Sequence, residues 1–264
     1  MTTTSTSRDS ATSAVVAVAG GALTLGVLVA AALGSRSGQD WDESAMNTVV
    51  GGRDTQLAVL SVLGYISIGA IVVVALGCGA VAMLRGKVSL AAAAVAVIVG
   101  SNVTTQLLKH SILERPDFGL GTLNSLPSGH TTVVASAVGA LLLVAPRVSR
   151  PVVAVVGGFA TTLTGASTIV AGWHRPSDVI AALAVSLLWT AGVALVLHGP
   201  AARVVGTLTG AAVGSVASVL FLIAIGVRPV LGWDGFVQSG LVLGGIAAAT
   251  AVFIAAAAAS SPAE

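Results

Sequence analysis

Long apolar stretches, separated by short polar segments, dominate this 264-residue chain. Each stretch is close to or longer than the ~20 residues that an α-helix needs to cross the hydrocarbon core of a bilayer. The pattern predicts an all-α fold, a polytopic transmembrane helix bundle of about eight spans. The predicted spans are residues 13–34, 57–84, 88–108, 128–146, 151–172, 177–198, 204–227 and 236–259.

The spans divide the chain into three predicted parts. Residues 1–12 are rich in Ser and Thr, which predicts a disordered cytoplasmic tail. The first apolar run is longer than the h-region of a secretory signal, so we interpret it as an uncleaved helix. Residues 13–198 form a six-span core, and residues 199–264 add two C-terminal transmembrane helices whose default role is packing.

Composition narrows the class of protein further. With 55% hydrophobic and 8% charged residues and a mean hydropathy of +1.00, the chain is predicted to be an integral membrane protein. The net charge of +2 is too small to argue for nucleic acid as a partner. The single cysteine, Cys78, lies within an apolar run, so neither a disulfide framework nor a thiolate metal site is available.

The distribution of Lys and Arg over the short loops predicts a cytoplasmic N-terminus. In that orientation the inside carries Arg8, Arg85, Lys87, Arg147, Arg150 and Arg203, and the outside carries Arg36, Arg53 and Arg228 besides Lys109, Arg115 and Arg175. Lys109, Arg115 and Arg175 are set aside because they belong to the candidate site described below. Without them, six positive charges inside face three outside, a modest but consistent bias.

The longest polar segment, roughly residues 35–56, is interpreted as an extracytoplasmic loop with a short interfacial helix near Trp41. Its acidic residues Asp40, Asp42 and Glu43 lack the spaced ligand pattern of a calcium loop. We therefore interpret these carboxylates as solvated.

Three further polar segments reach the same predicted face of the membrane. The first, NVTTQLLKHSILERPD, places Asn102, Gln106 and Lys109 at i, i+4 and i+7, so their side chains share one face of a helix. Arg115 and Pro116 follow after the predicted end of that helix, because the residue before a proline avoids the helical region.

The second segment, NSLPSGHTT at residues 124–132, predicts an anion site at the start of an apolar helix. Ser128 can cap the helix, and the free backbone N–H groups and the helix dipole then face the loop. Gly129 lets an anion approach the backbone closely. His130 stands beside this site, although a single histidine there is also compatible with an interfacial residue satisfied by water or a carbonyl.

The third segment, STIVAGWHRPSD at residues 167–178, places His174 and Asp178 at i and i+4. Pro176 fits the first turn of the sixth span, where its missing N–H costs nothing. Alone, Asp178 would be a favourable charge at a helix start. Paired with a histidine, its carboxylate can accept a ring N–H and fix which nitrogen is free to react.

Together these groups predict phosphoryl transfer through a phosphohistidine. Cationic donors and a helix N-terminus bind phosphate, a histidine held by an aspartate is an activated nucleophile, and a second histidine can move a proton. The sequence has no cluster of carboxylates suited to Mg²⁺, and His130 and His174 alone provide few ligands for zinc. We therefore expect neither metal nor cofactor.

The order of K…RP, PSGH and S…H…D resembles the type 2 phosphatidic acid phosphatase superfamily, membrane lipid phosphatases related in active-site design to vanadium-dependent haloperoxidases. The resemblance covers about residues 57–198. It implies that His174 attacks phosphorus, that Asp178 orients it, and that His130 protonates the leaving oxygen and then activates water. It assigns stabilisation of the charged pentacoordinate state to Lys109, Arg115, Ser128 and the Gly129 backbone.

Two departures from the family pattern concern phosphate binding. Five residues separate Lys109 from Arg115, where the family has six. Thr168 follows Ser167, where the family has an arginine. We hypothesise that Arg175 supplies the absent guanidinium; the alternative is a surface arginine that faces lipid headgroups.

The predicted orientation places the active site at the extracytoplasmic face of a bacterial plasma membrane. Its substrate would be an isoprenoid diphosphate such as undecaprenyl diphosphate, or a glycerolipid such as phosphatidic acid or phosphatidylglycerol phosphate. A polytopic lipid or solute transporter stays an alternative, because Gly- and Ala-rich helices pack closely in transporters as well. So does a non-catalytic lipid-phosphate-binding member of the family. The Gly/Ala-rich helix faces are also compatible with a homo-oligomer.

Overall fold

The computed structural model describes residues 4–66, 68–120, 122–197 and 205–262. Those ranges contain ten α-helices and two short β-strands. The helices are α1 Thr4–Ala32, α2 Arg36–Met46, α3 Arg53–Tyr65, α4 Ile68–Leu84, α5 Val88–Leu107, α6 Gly129–Val144, α7 Arg150–Val170, α8 Pro176–Leu197, α9 Val205–Ala224 and α10 Phe236–Ser260, and the strands are β1 Val49–Gly51 and β2 Val227–Pro229. A π-helical turn, Leu108–Ile112, continues α5.

The apolar helices form a transmembrane bundle. Six helical segments in the described part of the chain are long and apolar enough to cross a membrane, and α4 and α6 contain shorter apolar stretches. Together they correspond to the eight predicted spans. The prediction of an all-α bundle is confirmed, and the protein is an integral membrane protein.

The second predicted span, residues 57–84, is wrong as a single helix. Helix α3 ends at Tyr65, α4 begins at Ile68, and Ile66 between them has the non-helical angles φ −86° and ψ 80°. The local sequence GYISIG combines glycine, serine and β-branched isoleucine, which have low helix propensities, so interrupting the helix there costs little. The break places Ile66 beside the cleft described below.

Helix α1 begins earlier than the sequence suggests. It starts at Thr4 and so includes most of the segment predicted as a disordered tail, while residues 1–3 lie outside the described residues. Extending an existing helix needs no new nucleation, so polar Ser and Thr residues can continue it.

Small residues allow the central helices to pack closely. A Cβ added to Gly214 of α9 would lie 2.0 Å from the carbonyl oxygen of Val155 in α7. One added to Gly158 of α7 would lie 2.5 Å from the carbonyl oxygen of Ala211 in α9. Such close backbone contacts are typical of transmembrane helix interfaces. The C-terminal helices therefore pack against the rest of the bundle, with α10 contacting α7, α8 and α9.

One end of the bundle, called the site end, is closed by the connections that precede α3, α6, α8 and α10. Strands β1 and β2 pair antiparallel there, with Val50 opposite Arg228. Thr55 Oγ1 donates a hydrogen bond to the carbonyl of Ile225 at 2.7 Å, and Gln56 Nε2 donates to the carbonyl of Val170 at 3.0 Å. These contacts tie α3 to the ends of α7 and α9, so the connections form one polar layer.

Candidate active site

A cleft of about 800 Å³ opens at the site end between α5 and α6. Its polar lining comprises Asn102, Gln106, Lys109, His110, Ser111, Gly129, His130 and His174, and its apolar lining comprises Ile66, Val103, Leu107 and Val133. The predicted helix face of Asn102, Gln106 and Lys109 is therefore present and faces the cleft. The cleft also brings together His130 and His174, the two histidines of the predicted site.

His174 is oriented by two sets of hydrogen bonds. Its Nδ1 lies 3.1 Å from Asp178 Oδ2, and the same oxygen accepts the backbone N–H of Arg175 at 2.9 Å. The backbone N–H groups of Trp173 and His174 donate to the carbonyl of Thr168 at 3.0 and 3.2 Å. A carboxylate only accepts hydrogen bonds, so Nδ1 carries the proton of this contact, and in the neutral ring Nε2 is the nitrogen with the lone pair.

The start of α6 holds His130 next to this pair. Ser128 is the N-cap residue, as predicted, and its Oγ accepts hydrogen bonds from Thr131 N at 3.4 Å and Thr131 Oγ1 at 3.0 Å. The backbone N–H of Ser128 donates to the carbonyl of Asp178 at 2.9 Å, which joins the start of α6 to the start of α8. The His130 ring lies 5.6 Å from the Trp173 ring, centroid to centroid. The two histidines are thus carried by helix starts that are bonded to each other.

Gly129 leaves the first turn of α6 accessible from the cleft. The nearest atom to a Cβ added there is Gln106 Nε2 at 3.7 Å, so the space in front of this backbone is open. The free N–H groups of a helix start and the positive end of its dipole favour an anion in such a position.

Lys109 lies in the π-helical turn that ends α5. The turn is closed by a hydrogen bond from Leu113 N to the carbonyl of Leu108 at 2.9 Å. Asn124 Nδ2 donates to the carbonyls of Lys109 at 3.2 Å and Leu113 at 3.0 Å, which fastens the connection before α6 to this turn. π-Turns occur frequently at functional sites, and here the turn contains most of the shortened stretch between Lys109 and Arg115.

Arg115 is a buried cation with unused hydrogen-bond donors. Arg115 is 6% exposed and does not line the cleft. Its Nε and Nη2 have no hydrogen-bond partner among the described residues. Burial lowers the pKa of Arg115, and the like charge of Arg175 lowers it further. A buried charge without a partner is unfavourable, so the guanidinium is suited to an anion that brings compensating acceptors.

A match to a protein-family model agrees with this arrangement of residues. The model of the family described as the PAP2 superfamily matches residues 89–202, which contain all three motifs. Residues 89–202 thus form a PAP2 superfamily region. No curated protein and no solved structure matches it. This region and the apolar helices make the chain a membrane phosphatase-type protein.

The second departure from the PAP2 pattern is the threonine at the position of the family arginine. Thr168, at the position of the family arginine, is fully buried, and its Oγ1 donates to the carbonyl of Gly165 at 2.7 Å. Arg175 does not line the cleft. Its Nε and Nη2 both lie 2.7 Å from Glu43 Oε2, and its Nη1 donates to Ser125 Oγ at 3.0 Å. The geometry thus does not favour the hypothesis that Arg175 supplies the missing guanidinium.

The expectation that Asp42 and Glu43 are solvated is wrong. Both lie on α2, the predicted interfacial helix, where Glu43 holds Arg175 and Asp42 accepts hydrogen bonds from Ser177 N at 3.0 Å and from Ser177 Oγ. Burial raises the pKa of Asp42 despite these hydrogen bonds. Asp40, also on α2, is exposed as expected.

Other contacts of the PAP2 site were also missed from the sequence. His110 lines the cleft four residues after Gln106, so the helical period could have found it. Trp173 approaches His130 from another part of the chain, and no local signal predicts this contact. Within residues 4–66, 68–120, 122–197 and 205–262, no three His, Cys, Asp or Glu side chains are grouped so that they could hold a metal ion.

Proposed function

We propose that the protein is a metal-independent lipid phosphate phosphatase that works through a phosphohistidine. The observation that carries the proposal is the pair formed by His174 Nδ1 and Asp178 Oδ2, 3.1 Å apart, beside a cleft that also contains Lys109 and His130. This pairing leaves Nε2 of His174 available as a nucleophile.

In the first step His174 Nε2 attacks phosphorus and the bond from phosphorus to the leaving oxygen breaks. His130, as a general acid, donates a proton to that oxygen, so the lipid product leaves as a neutral alcohol or, from a diphosphate, as a monophosphate. Asp178 stabilises the positive charge that develops on the His174 ring.

In the second step water hydrolyses the phosphohistidine. His130, now without its proton, removes a proton from water, and the oxygen attacks phosphorus as the N–P bond breaks. Inorganic phosphate leaves, and both histidines return to their starting states. Atoms and charges balance without a further reactant.

The cations around the cleft would stabilise the pentacoordinate state. Lys109 is a point charge in the cleft, the start of α6 at Gly129 offers oriented N–H groups, and Arg115 has free donors in a buried position. Preorganised donors of this kind commonly contribute several kcal/mol, about 2.7–4 for a single donor.

An amphiphilic substrate suits the cleft. Val103 and Leu107, on its α5 wall, are about half exposed on a transmembrane helix, so an apolar chain can lie along them while the phosphate reaches the histidines. The Lys and Arg distribution supports an extracytoplasmic site in the plasma membrane. We therefore propose an isoprenoid (di)phosphate or a phosphatidic-acid-like glycerolipid as the substrate class.

The test is phosphate release from a panel of lipid phosphates by detergent-solubilised protein in the presence of a chelator, with His174→Ala as the matched variant. We expect turnover by the wild type only. Turnover that requires added metal, or that His174→Ala retains, would refute the mechanism. Binding without phosphate release would favour a non-catalytic member of the family, and flux of lipid across vesicles without release would favour a transporter.

A further inference from the structure

Helix α2 presents one polar face to the candidate active site. Gln39, Asp42, Glu43 and Met46 are spaced at i, i+3, i+4 and i+7 and so lie on the same side of the helix. Gln39 is fully buried, whereas Trp41 on the other side is 79% exposed. Met46 packs against the core cluster of the site end. The helix is thus oriented with its acidic residues directed at the bundle.

Each polar contact of this face reaches the immediate neighbour of a candidate site residue. Gln39 Nε2 donates to the carbonyl of Pro116 at 3.1 Å, next to Arg115. The contacts to the nucleophile turn are the hydrogen bonds from Ser177, next to Asp178, to Asp42, and the ion pair of Arg175, next to His174, with Glu43. All three contacts are made to a residue that is next in sequence to a candidate site residue, so all three hold the backbone that carries the site.

The contacts determine the backbone of the turn that carries the nucleophile. Asp42 binds the N–H of Ser177, which belongs to the first turn of α8 and has no partner within that helix. Glu43 neutralises Arg175, which also reaches Ser125 in the connection before α6. Loss of either carboxylate would remove one of the contacts with α2 that hold the turn between α7 and α8.

Glu43 also moderates the charge around Arg115. The guanidinium of Arg175 acts on Arg115 as a like charge, whereas Asp42, Glu43 and Asp178 act on it as opposite charges. Arg175 is thus paired with Glu43, whereas Nε and Nη2 of Arg115 have no partner among the described residues.

We infer that Asp42 and Glu43 are positioning residues: α2 fixes the turn from His174 to Asp178 and the segment at Arg115 in the geometry that phosphoryl transfer requires. Neither carboxylate lines the cleft. The inference rests on the proposed phosphatase function. A misplacement of about 1 Å in a reacting group can cost a factor of about 100 in rate, which sets the scale of the expected effect.

The experiment compares Asp42→Ala and Glu43→Ala with their conservative counterparts Asp42→Asn and Glu43→Gln, and uses Asp40→Ala as the control on the same helix. Asp40 is exposed, and its ion pair is a distant one to Arg36 on α2 itself, 3.9 Å apart. Turnover per active site is measured on a soluble short-chain lipid phosphate, with the active fraction counted from trapped phosphohistidine.

We expect both alanine variants to lower kcat by about 10- to 100-fold with KM changed less than about threefold, because the nucleophile is displaced while the substrate contacts remain. Asp42→Asn keeps acceptors and donors for Ser177 and should recover most of kcat. A purely structural role would lower the active fraction at unchanged kcat per site. That result, or an equal loss in Asp40→Ala, would overturn the inference.

A second measurement separates this inference from the proposed function. Hydrogen exchange of the peptide covering residues 171–180 is compared between the intact wild type and Asp42→Ala, without substrate. We expect faster exchange in the variant because the N–H of Ser177 loses its acceptor. Unchanged exchange would refute the positioning role even if the protein is a phosphatase. Faster exchange in a protein that hydrolyses no lipid phosphate would instead refute the function alone.

Discussion

The replacement Asp178→Asn tests the central feature of the site with almost no change in shape. A single oxygen, Asp178 Oδ2, binds both His174 Nδ1 and the N–H of Arg175. In the variant, an amide oxygen in the place of Oδ2 can still accept both N–H groups, but the negative charge beside the His174 ring is lost. An amide nitrogen in that place would instead donate to Nδ1 and force the ring proton onto Nε2. The nucleophilic lone pair would then be lost from the cleft.

The size of the expected loss in kcat depends on the missing negative charge of Asp178 as well as on the tautomer of His174. His174 becomes positively charged as it bonds to phosphorus, and the pair is 5% and 2% exposed, so water screens it little. Opposite unit charges about 4 Å apart interact by about 4 kcal/mol at an effective dielectric constant of 20, which corresponds to about a thousandfold in rate. The equivalent change in a Ser-His-Asp triad lowers kcat by about 10⁴. We expect a loss of about 10³ to 10⁴ in kcat.

The assay is phosphate release in detergent with a chelator, normalised to folded protein by circular dichroism and size-exclusion chromatography. Asp54→Asn is the matched control, because Asp54 also lies in the first turn of a helix but is exposed. A charge that only complements a helix dipole contributes about 0.3–1 kcal/mol to stability and nothing to chemistry. If Asp178→Asn retained more than a tenth of wild-type kcat, the orienting role would be refuted.

Three further predictions concern phosphate binding and α2. Gly129→Ala should fold normally, because the nearest neighbour of the added Cβ would be 3.7 Å away, but it should lower kcat/KM about tenfold by narrowing the path of the phosphate to the start of α6. Gly20→Ala, also in open space, is the control, and equal kcat/KM for the two variants would contradict this prediction. Orthovanadate should raise the unfolding temperature of the wild type by giving the buried Arg115 an anionic partner, and Arg115→Ala should abolish that rise; a rise of the same size in the variant would exclude Arg115 from the anion site. Because burial raises the pKa of Asp42, the stability that this group contributes is greatest at low pH and is lost as pH rises through the folded-state pKa. In unfolding scans from pH 4 to 8, Asp42→Asn should therefore become more stable relative to the wild type as pH rises, and the opposite trend would show the sign to be wrong.

Local spacing explains why much of the fold and part of the site were predictable. A bilayer requires runs of about 20 apolar residues, so the spans are visible as composition alone. The His174 and Asp178 pair lies within one turn of chain, and Ser128 needs only the helix that follows it in order to cap. In each case the interacting groups are close in sequence, so their spacing along the chain is enough to predict that they meet.

Contacts between distant segments were not predictable in the same way. Glu43 and Arg175 are separated by 132 positions, and nothing near Glu43 distinguishes a carboxylate docked on a protein from one that faces water. The break at Ile66 depends on packing on both sides of a weak helical stretch, which propensity alone does not decide. The π-turn at Lys109 likewise requires the clamp from Asn124, which comes from another connection.

The docking of α2 changes how the missing family arginine is interpreted. From the sequence, Thr168 suggested a lost charge that Arg175 could replace, because only proximity along the chain was visible. In the structure Arg175 is neutralised by Glu43, and the buried Thr168 uses its carbonyl to hold the turn that carries His174. Besides Lys109 in the cleft, Arg115 is a cation with unpartnered donors, and it is buried outside the cleft lining. If the proposed phosphatase function holds, a site without the family arginine would depend more on the orientation of His174, and α2 would contribute to that orientation by holding the turn from outside.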